Sequence, residues 1–370
     1  MTGHDLKDIF SHFEMEGDYT EGHPIGQGHI NDTYLVQVRR ADSIRRVTLQ
    51  RINQNVFHQP VLMMQNFEKI SRHMRRKLAL IPGRDPDRET LNLVPSKTGE
   101  NFYRSPQGDY WRAYQFVGES HTIEVAQNPG QAYQAGRAFG TFQKLLADFP
   151  VADLHETIPF FHHTPRRFKK FLEVLAADNR GRNREAADAV SFALARESMT
   201  GRVTGSLEDG SLPLRITHND TKINNVLFDD VTGEAVCVID LDTTMPGSAL
   251  YDFGDMVRTT TCFAAEDERD LSRVEIDMDM FAALSRGYLE ETREFLTEKE
   301  IGLLVFSGRL ITFTIGLRFL TDFLEGDVYF KVHRAGHNLD RARSQFALVR
   351  SLEEREGEMN EVIRSLAGGK

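Results

Sequence analysis

Cysteine is scarce: only Cys237 and Cys262 occur in 370 residues. Two thiols make no disulfide framework, so the fold has to come from buried apolar surface, and a reducing cytoplasm is the expected compartment. An excess of positive charge is also lacking. Lys and Arg number 45 against 55 Asp and Glu, a net charge of −10. That excludes a generic nucleic-acid binder, because a phosphate backbone selects a basic surface. An acidic chain still binds a nucleotide where a local site sets the field. The start, MTGHDLKDIF, has no apolar core of a secretory signal. Long apolar runs are nearly absent. The exception, IGLLVFSGRLITFTIGLRFLTDFL at 301–324, encloses Arg309 and Arg318. Arginine is costly at membrane depth, so this segment reads as a buried helix and no membrane partner is expected. There is no internal repeat and no low-complexity tract.

What remains is an ordinary globular composition, 40% hydrophobic and 27% charged, in a chain long enough for two domains. The first third reads as β-rich with one helix. Strands are expected at 19–25, 33–39 and 46–52, and a helix over 61–80, where VLMMQNFEKISRHMRRKLAL has helical spacing. LNLVP, NFYRS and DYWRAYQFV then read as short strands. After Val117 the pattern turns helical, except for a pair of strands around a polar loop, LRIT before it and EAVCVIDL after it. The expectation is an α+β fold with a small β-rich N-terminal domain, 1–117, and a larger, mainly helical domain, 118–370. The boundary falls near Gly118.

Three segments carry chemistry. In THNDTKINNVLFDD, His218, Asp220, Lys222 and Asn225 follow one another in a polar loop between short strands. Phosphoryl transfer needs a carboxylate near the acceptor hydroxyl, and an amide or carboxylate that holds Mg²⁺ over the phosphates. Asp220 and Asn225 suit those two tasks, and Lys222 suits offsetting charge on the transferred phosphate. In CVIDLDTTMPG, Asp240 ends a buried strand and Asp242 follows two residues later. Asp240 is chosen as a second metal ligand, and Asp242 is a turn cap or a further group near the metal. In PIGQGHINDTYLV, Gly26 and Gly28 allow the backbone close to a phosphate. The third glycine and following helix of a dinucleotide fingerprint are missing, so this is a strand-turn-strand flap with His29 at its tip.

With these segments in this order, the chain resembles the aminoglycoside phosphotransferase and choline kinase-like family, relatives of protein kinases. The pattern is His218, Asp220 and Asn225, then Ile239-Asp240. Within that family it is similar to the bacterial N-acetylhexosamine 1-kinases, through GQGHINDTYLV, LQRINQNVF, THNDTKINNVLFD, VIDLDTTMPG, YDFGDMVR and GLRFLTDFLEGDVYF. The resemblance implies a two-lobed kinase-like fold, ATP and Mg²⁺, and transfer of the γ-phosphate to the anomeric hydroxyl of GlcNAc or GalNAc. It implies Asp220 as catalytic base, Asn225 and Asp240 as magnesium ligands, and His218 as a positioner of the loop. His29, Arg318 and Tyr329 fall on the sugar or phosphate side. Tyr114, Gln115, Phe116 and Val117 form the hinge whose backbone meets adenine. The lysine that protein kinases carry on a strand is missing from LQRINQN. Arg51 is the expected substitute, Gln50 the alternative, and Glu68 on the next helix a possible partner. Competing readings are a kinase for an aminoglycoside, choline or methylthioribose, or a nucleotide binder without activity.

Overall fold

The computed structural model describes residues 4–25 and 30–368. The elements in chain order begin with α1 (Leu6–Phe10), β1 (Asp18–Pro24), β2 (Asp32–Arg40), β3 (Ser43–Ile52), α2 (Pro60–Leu78), α3 (Pro86–Glu89), β4 (Leu93–Val94), β5 (Tyr103–Arg104), β6 (Tyr110–Gln115) and β7 (Ser120–Thr122). Then come α4 (Pro129–Leu146), α5 (Thr164–Ala177), α6 (Ala187–Leu194), α7 (Arg202–Glu208), β8 (Arg215–Thr217), β9 (Val226–Asp229), β10 (Ala235–Val238) and β11 (Met245–Gly247). Five helices close the chain: α8 (Ala249–Thr260), α9 (Met278–Thr292), α10 (Glu298–Glu325), α11 (His337–Glu354) and α12 (Glu356–Gly368). The protein divides into two compact units. The first comprises 1–121, 148–158 and 227–245; the second comprises 122–147, 159–226 and 246–370. The first unit therefore runs past Gly118 and takes back two later segments, which a single cut in the sequence does not describe.

The first unit is built on an antiparallel sheet in the order β1-β2-β3-β6-β4, with β5 also on β6. Alternation decides its two faces. Val36 and Val38, Val47 and Leu49, and Trp111 and Ala113 turn one way and bury against Ile9, Phe10 and Phe13. The other face, with Ile52, packs on Met63 and Met64 of α2. Helix α2 forms where Met63, Phe67, Ile70, Met74 and Leu78 recur at helical spacing as a buried stripe. It opens on Pro60 and closes on Arg75, Arg76 and Lys77, as proline's fixed φ and the helix dipole favour. A second sheet runs β10-β9-β7. The strand that pairs with β10 is thus β9, the VLFD that leaves the polar loop, and not LRIT.

The second unit is helical, and its helices approach closely. A Cβ on Gly136 of α4 would collide with the carbonyl of Leu284, and one on Gly287 of α9 with that of Tyr133. Glycine is what lets these two backbones touch. Helix α10 starts with a capping box between Thr297 and Glu300 and ends on Gly326, at φ +106°. Of its most apolar stretch, 83% is buried inside the protein. It packs with α5, α6 and α11 through Phe313, Leu317, Leu320, Phe171 and Phe346.

Candidate active site

In the second unit the polar loop after β8 hangs from α8 by two buried acids. Asp252 accepts the amide hydrogens of His218 (2.9 Å) and Asn219 (2.7 Å) and the side-chain amide of Gln143 (2.8 Å). Asp255 accepts the amide of Thr221 at 2.9 Å, and the Thr221 hydroxyl donates to the carbonyl of Asp252 at 2.7 Å. Asp252 is fully buried, and burial holds its carboxyl above the ordinary value although His218 and the two amides pull the other way. Asn219 is in the left-handed region, φ +67°, a strained conformation of the kind that clusters at functional loops.

Two histidines pin the same turn. His218 is buried between the ring edges of Phe139 and Phe142, and its Nδ1 accepts the amide of Asp220 at 3.3 Å. His162 Nε2 lies 3.0 Å from the carbonyl of Asn219. A carbonyl only accepts, so that nitrogen carries the proton. Burial lowers the His162 pKa to about 4, against the pull of Asp255 and the Asn219 carbonyl, and the ring is neutral at physiological pH.

The loop presents Asp220. Lys222 Nζ lies 3.2 Å from its Oδ1. Asn225 Nδ2 donates to its Oδ2 at 3.0 Å and to its carbonyl at 2.8 Å. Burial by itself would raise the Asp220 carboxyl, but Lys222 and His218 outweigh it and hold it below the usual carboxylate range. Asp220 in turn raises Lys222. The four residues expected here are brought together, and the carboxylate is ionised and oriented.

Arg318 and Tyr329 also meet in this unit. The Arg318 guanidinium lies 5.7 Å from the centre of the Tyr329 ring and 5.3 Å from that of Phe330. Burial lowers Arg318, Tyr329 and Asp220 oppose that shift, and the charge of Asp220 therefore reaches it. The loop bearing Tyr329 is organised by Asp322, which accepts the amides of Val328, Tyr329 and Phe330 at 2.8–3.0 Å.

In the first unit Asp240 follows β10 in the left-handed region, φ 59° and ψ 60°, with its side chain exposed. Asp242 is buried, one oxygen paired with Arg112 and the other accepting Asn31 Nδ2 at 2.7 Å. Arg112, on β6, is 1% exposed. Its Nε and second terminal nitrogen donate to Gln50 Oε1 at 2.8 and 2.5 Å, and its guanidinium stacks 5.0 Å from the Phe67 ring. Burial opposes the Arg112 charge, but Asp242 above all, with Tyr114 and Asp240, raises its pKa. Burial pushes the neighbouring Tyr114 phenol up to about 12.

Arg51 lies off this arrangement. It is one residue out of phase with Gln50, so it faces away from Arg112 and Asp242. It pairs instead with Asp32 and Asp109, at 2.8 and 3.0 Å. Gln50, the alternative, faces the acidic turn. Glu68 pairs with Arg72 one helical turn on, at 3.5 Å. In the hinge, the Gln115 amide donates to the carbonyl of Asn92 at 2.9 Å, and the Val117 carbonyl accepts the Ser120 hydroxyl at 2.9 Å. The Gln115 N–H is therefore already engaged. Gly26, Gly28 and His29 lie outside the described residues.

Four residues were missed. Arg112 stood in plain view in DYWRAYQFV, where period two sets Arg112 and Tyr114 opposite Trp111 and Ala113. Asp252 and Asp255 lie in YDFGD, and only their buried position shows their work. His162 was set aside as half of a histidine pair.

Comparison with known proteins places this geometry in a family. The model of the phosphotransferase enzyme family matches residues 21–295. Three solved structures share the fold. A microcompartment-associated aminopropanol kinase superposes with a TM-score of 0.61 at 16% identity, over 96% of this chain and 97% of that one. The choline kinase of Cryptosporidium parvum gives 0.57 at 15%, over 94% and 92%. A spectinomycin phosphotransferase solved with ADP and spectinomycin gives 0.50 at 13%, over 95% and 93%. The fold is thus the mixed α+β, protein-kinase-like one.

Proposed function

The chain belongs to the phosphotransferase enzyme family, and on that premise we propose that it is an ATP-dependent kinase acting on the anomeric hydroxyl of an N-acetylhexosamine, GlcNAc or GalNAc. The observation that carries the reading is the set around Asp220: an ionised carboxylate held by Lys222 and Asn225, with the Arg318 guanidinium in its field.

Asp220 accepts the hydrogen bond of the acceptor hydroxyl, aims one oxygen lone pair and takes the proton as the bond to phosphorus forms. Its lowered pKa keeps it ionised at neutral pH. Lys222 sets positive charge beside the transferred phosphate. His218, Asp252, Asp255 and His162 keep the turn in one conformation, so the carboxylate does not have to be ordered at each turnover. ATP as donor accords with the spectinomycin enzyme of like fold, solved with ADP.

The oxygen donors suit Mg²⁺. Both amide hydrogens of Asn225 go to Asp220, which leaves Oδ1 as its acceptor, and Asp240 offers an exposed carboxylate on a strained backbone. Mg²⁺ prefers hard oxygens and takes most of its shell from water and phosphates, so two protein ligands suffice. When bound, the ion neutralises phosphate charge. In the first unit Arg112, rather than Arg51, is the cation whose charge reaches Asp240. Gly26 and Gly28 are the proposed phosphate flap, His29 and Tyr329 sugar contacts, and the backbone from Gln115 to Val117 the adenine edge. The domains are proposed as a nucleotide-binding and a substrate-binding part.

The charge of Arg318, which the field of Asp220 reaches, favours a neutral acceptor over choline or an aminoglycoside, whose cationic groups it would repel. ADP release measured with GlcNAc, GalNAc, glucose, galactose, choline and kanamycin tests this. Turnover confined to the N-acetylhexosamines is expected. Turnover of choline or kanamycin alone refutes the acceptor, and stabilisation by ATP without transfer to any of them refutes the kinase.

A further inference from the structure

In the first unit the backbone from 115 to 119 leaves β6 and bends into β7, and its hydrogen bonds can be followed one by one. The Gln115 amide donates to the carbonyl of Asn92 at 2.9 Å, and the Phe116 amide to that of Arg46 at 3.2 Å. The Val117 carbonyl accepts the Ser120 hydroxyl at 2.9 Å. The Glu119 carbonyl accepts the Asp230 amide at 3.0 Å. Among the described residues the Val117 N–H has no such partner. Val117 is buried, and a backbone donor in such surroundings calls for an acceptor. The bend itself is strained. Glu119 sits in the left-handed region, φ +52°, where a residue with a Cβ stays only if its neighbours hold it.

Arg88 is the side chain that holds the bend. It lies on α3, a single turn capped by Asp85 and opened by Pro86. One terminal nitrogen donates to the Glu119 carbonyl at 2.8 Å and to the Gly118 carbonyl at 3.4 Å. The other lies 2.7 Å from Asp229 Oδ2. Asp229 ends β9, and its Oδ1 accepts the amides of Val231 and Thr232 at 2.9 and 2.8 Å. The Thr232 amide, then Arg88 and the Val231 amide, hold its carboxyl below the ordinary value, so Arg88 faces an ionised partner. The guanidinium thus ties the bend to the sheet β10-β9-β7. Its planar fork spans carbonyl and carboxylate at once, which a lysine does not.

We infer that Arg88 is a positioning residue for the nucleotide base: by fixing Gly118 and Glu119 it keeps the Val117 N–H aimed at the acceptor that the base presents. The inference rests on the proposed reading of Gln115 to Val117 as the adenine edge and names the residue that keeps this edge in place. Without Arg88 the Glu119 backbone relaxes out of the left-handed region. The base then has to order the bend as it binds, and that ordering is subtracted from its affinity. The phosphates make no use of the bend, so their share of binding is unchanged.

Calorimetric titration of the full chain with ADP and, separately, with tripolyphosphate, both in the presence of Mg²⁺, tests this without turnover and without any choice of acceptor. R88M should weaken ADP by about tenfold, the size of one charge-assisted hydrogen bond, and leave tripolyphosphate, which has no base, within about twofold. R88K keeps the charge but not the fork. It should fall between the two, and it serves if R88M does not fold. Equal ADP affinity in wild type and variants overturns the inference. So does an equal loss for ADP and tripolyphosphate, which is what a general loosening of the fold produces. Photolabelling of the wild type with 2-azido-ADP separates this inference from the reading beneath it. A label on the peptide around Val117, with ADP affinity untouched by R88M, refutes the role of Arg88 alone. A label elsewhere in the chain refutes the adenine edge itself.

Discussion

Each unit has a buried aspartate close to a candidate site aspartate, exposed Asp240 in the first and half-buried Asp220 in the second, and the two are held differently. Asp242 lies two residues after Asp240 and is neutralised by a buried guanidinium. Asp252 lies beneath the turn that carries Asp220 and accepts three amides, two from the backbone and one from Gln143. The first arrangement sets the buried carboxylate against a guanidinium. The second holds its pKa up. The difference shows two ways to fix a working carboxylate: a buried charge pair that tolerates no loss of one partner, and a set of backbone hydrogen bonds that fixes a loop without much net charge.

The largest expected effect is on the working side of the second arrangement. Asp220→Asn should lose at least about a hundredfold in kcat with KM for ATP nearly unchanged, since general-base help is worth about 10²–10⁴. Steady-state kinetics checks it, and near-normal kcat would remove Asp220 from the chemistry. Asp240→Ala in the first unit and Asn225→Ala in the second should each lower activity by about two or more orders of magnitude while the melting temperature stays within a few degrees, because both are the proposed metal ligands. If Asp240→Ala turns over normally at low magnesium, Asp242 should be tested in its place.

The supporting side inverts that pattern. Asp242→Asn strands the Arg112 charge in the interior and should cost about 3–5 kcal/mol of stability, seen in chemical denaturation. Removing both charges in R112M/D242N should cost less than the single change; an equal or larger cost would mean that the pair is not what the interior needs.

Titration sharpens the contrast. The fold favours ionised Asp220, so its contribution is in force above the unfolded carboxyl's value of about 3.9 and fades as pH falls through the lower folded value. The fold favours protonated Asp252, so its contribution is present below that unfolded value and lost as pH rises through the raised folded one. Lys222→Met should therefore move the acid limb of kcat/KM upward, toward the ordinary carboxylate range, and an unmoved limb would assign it to another group. The smallest effect belongs to Arg51→Ala. Its half-exposed pairs with Asp32 and Asp109 should be worth about 1 kcal/mol or less, with KM for ATP unaltered.

Much of this was legible in the sequence where the chemistry is local. Asp220, Lys222 and Asn225 fall within six residues, and a loop that short keeps them together whatever its flanking strands pair with. The split between a β-rich first part and a helical second part followed from period two giving way to helical spacing. What was not legible depends on contacts between segments remote in sequence. Arg112 and Asp242 are 130 residues apart, and nothing near either announces the other. Arg51 and Gln50 differ by one residue: on a strand, that reverses the face, and only the pairing of Gln50 with Arg112 across β3 and β6 shows which of them faces Asp242. Asp252 and Asp255 look like ordinary residues of an amphipathic helix until the turn above them is seen.

The proposed transfer to an anomeric oxygen is tested most directly by the position of the phosphate. After incubation with GlcNAc, ATP and Mg²⁺, the ³¹P resonance of the product should split by coupling to the anomeric proton, with H1 shifted downfield. A phosphate coupled to the C6 protons instead, or an unphosphorylated sugar beside consumed ATP, would contradict it.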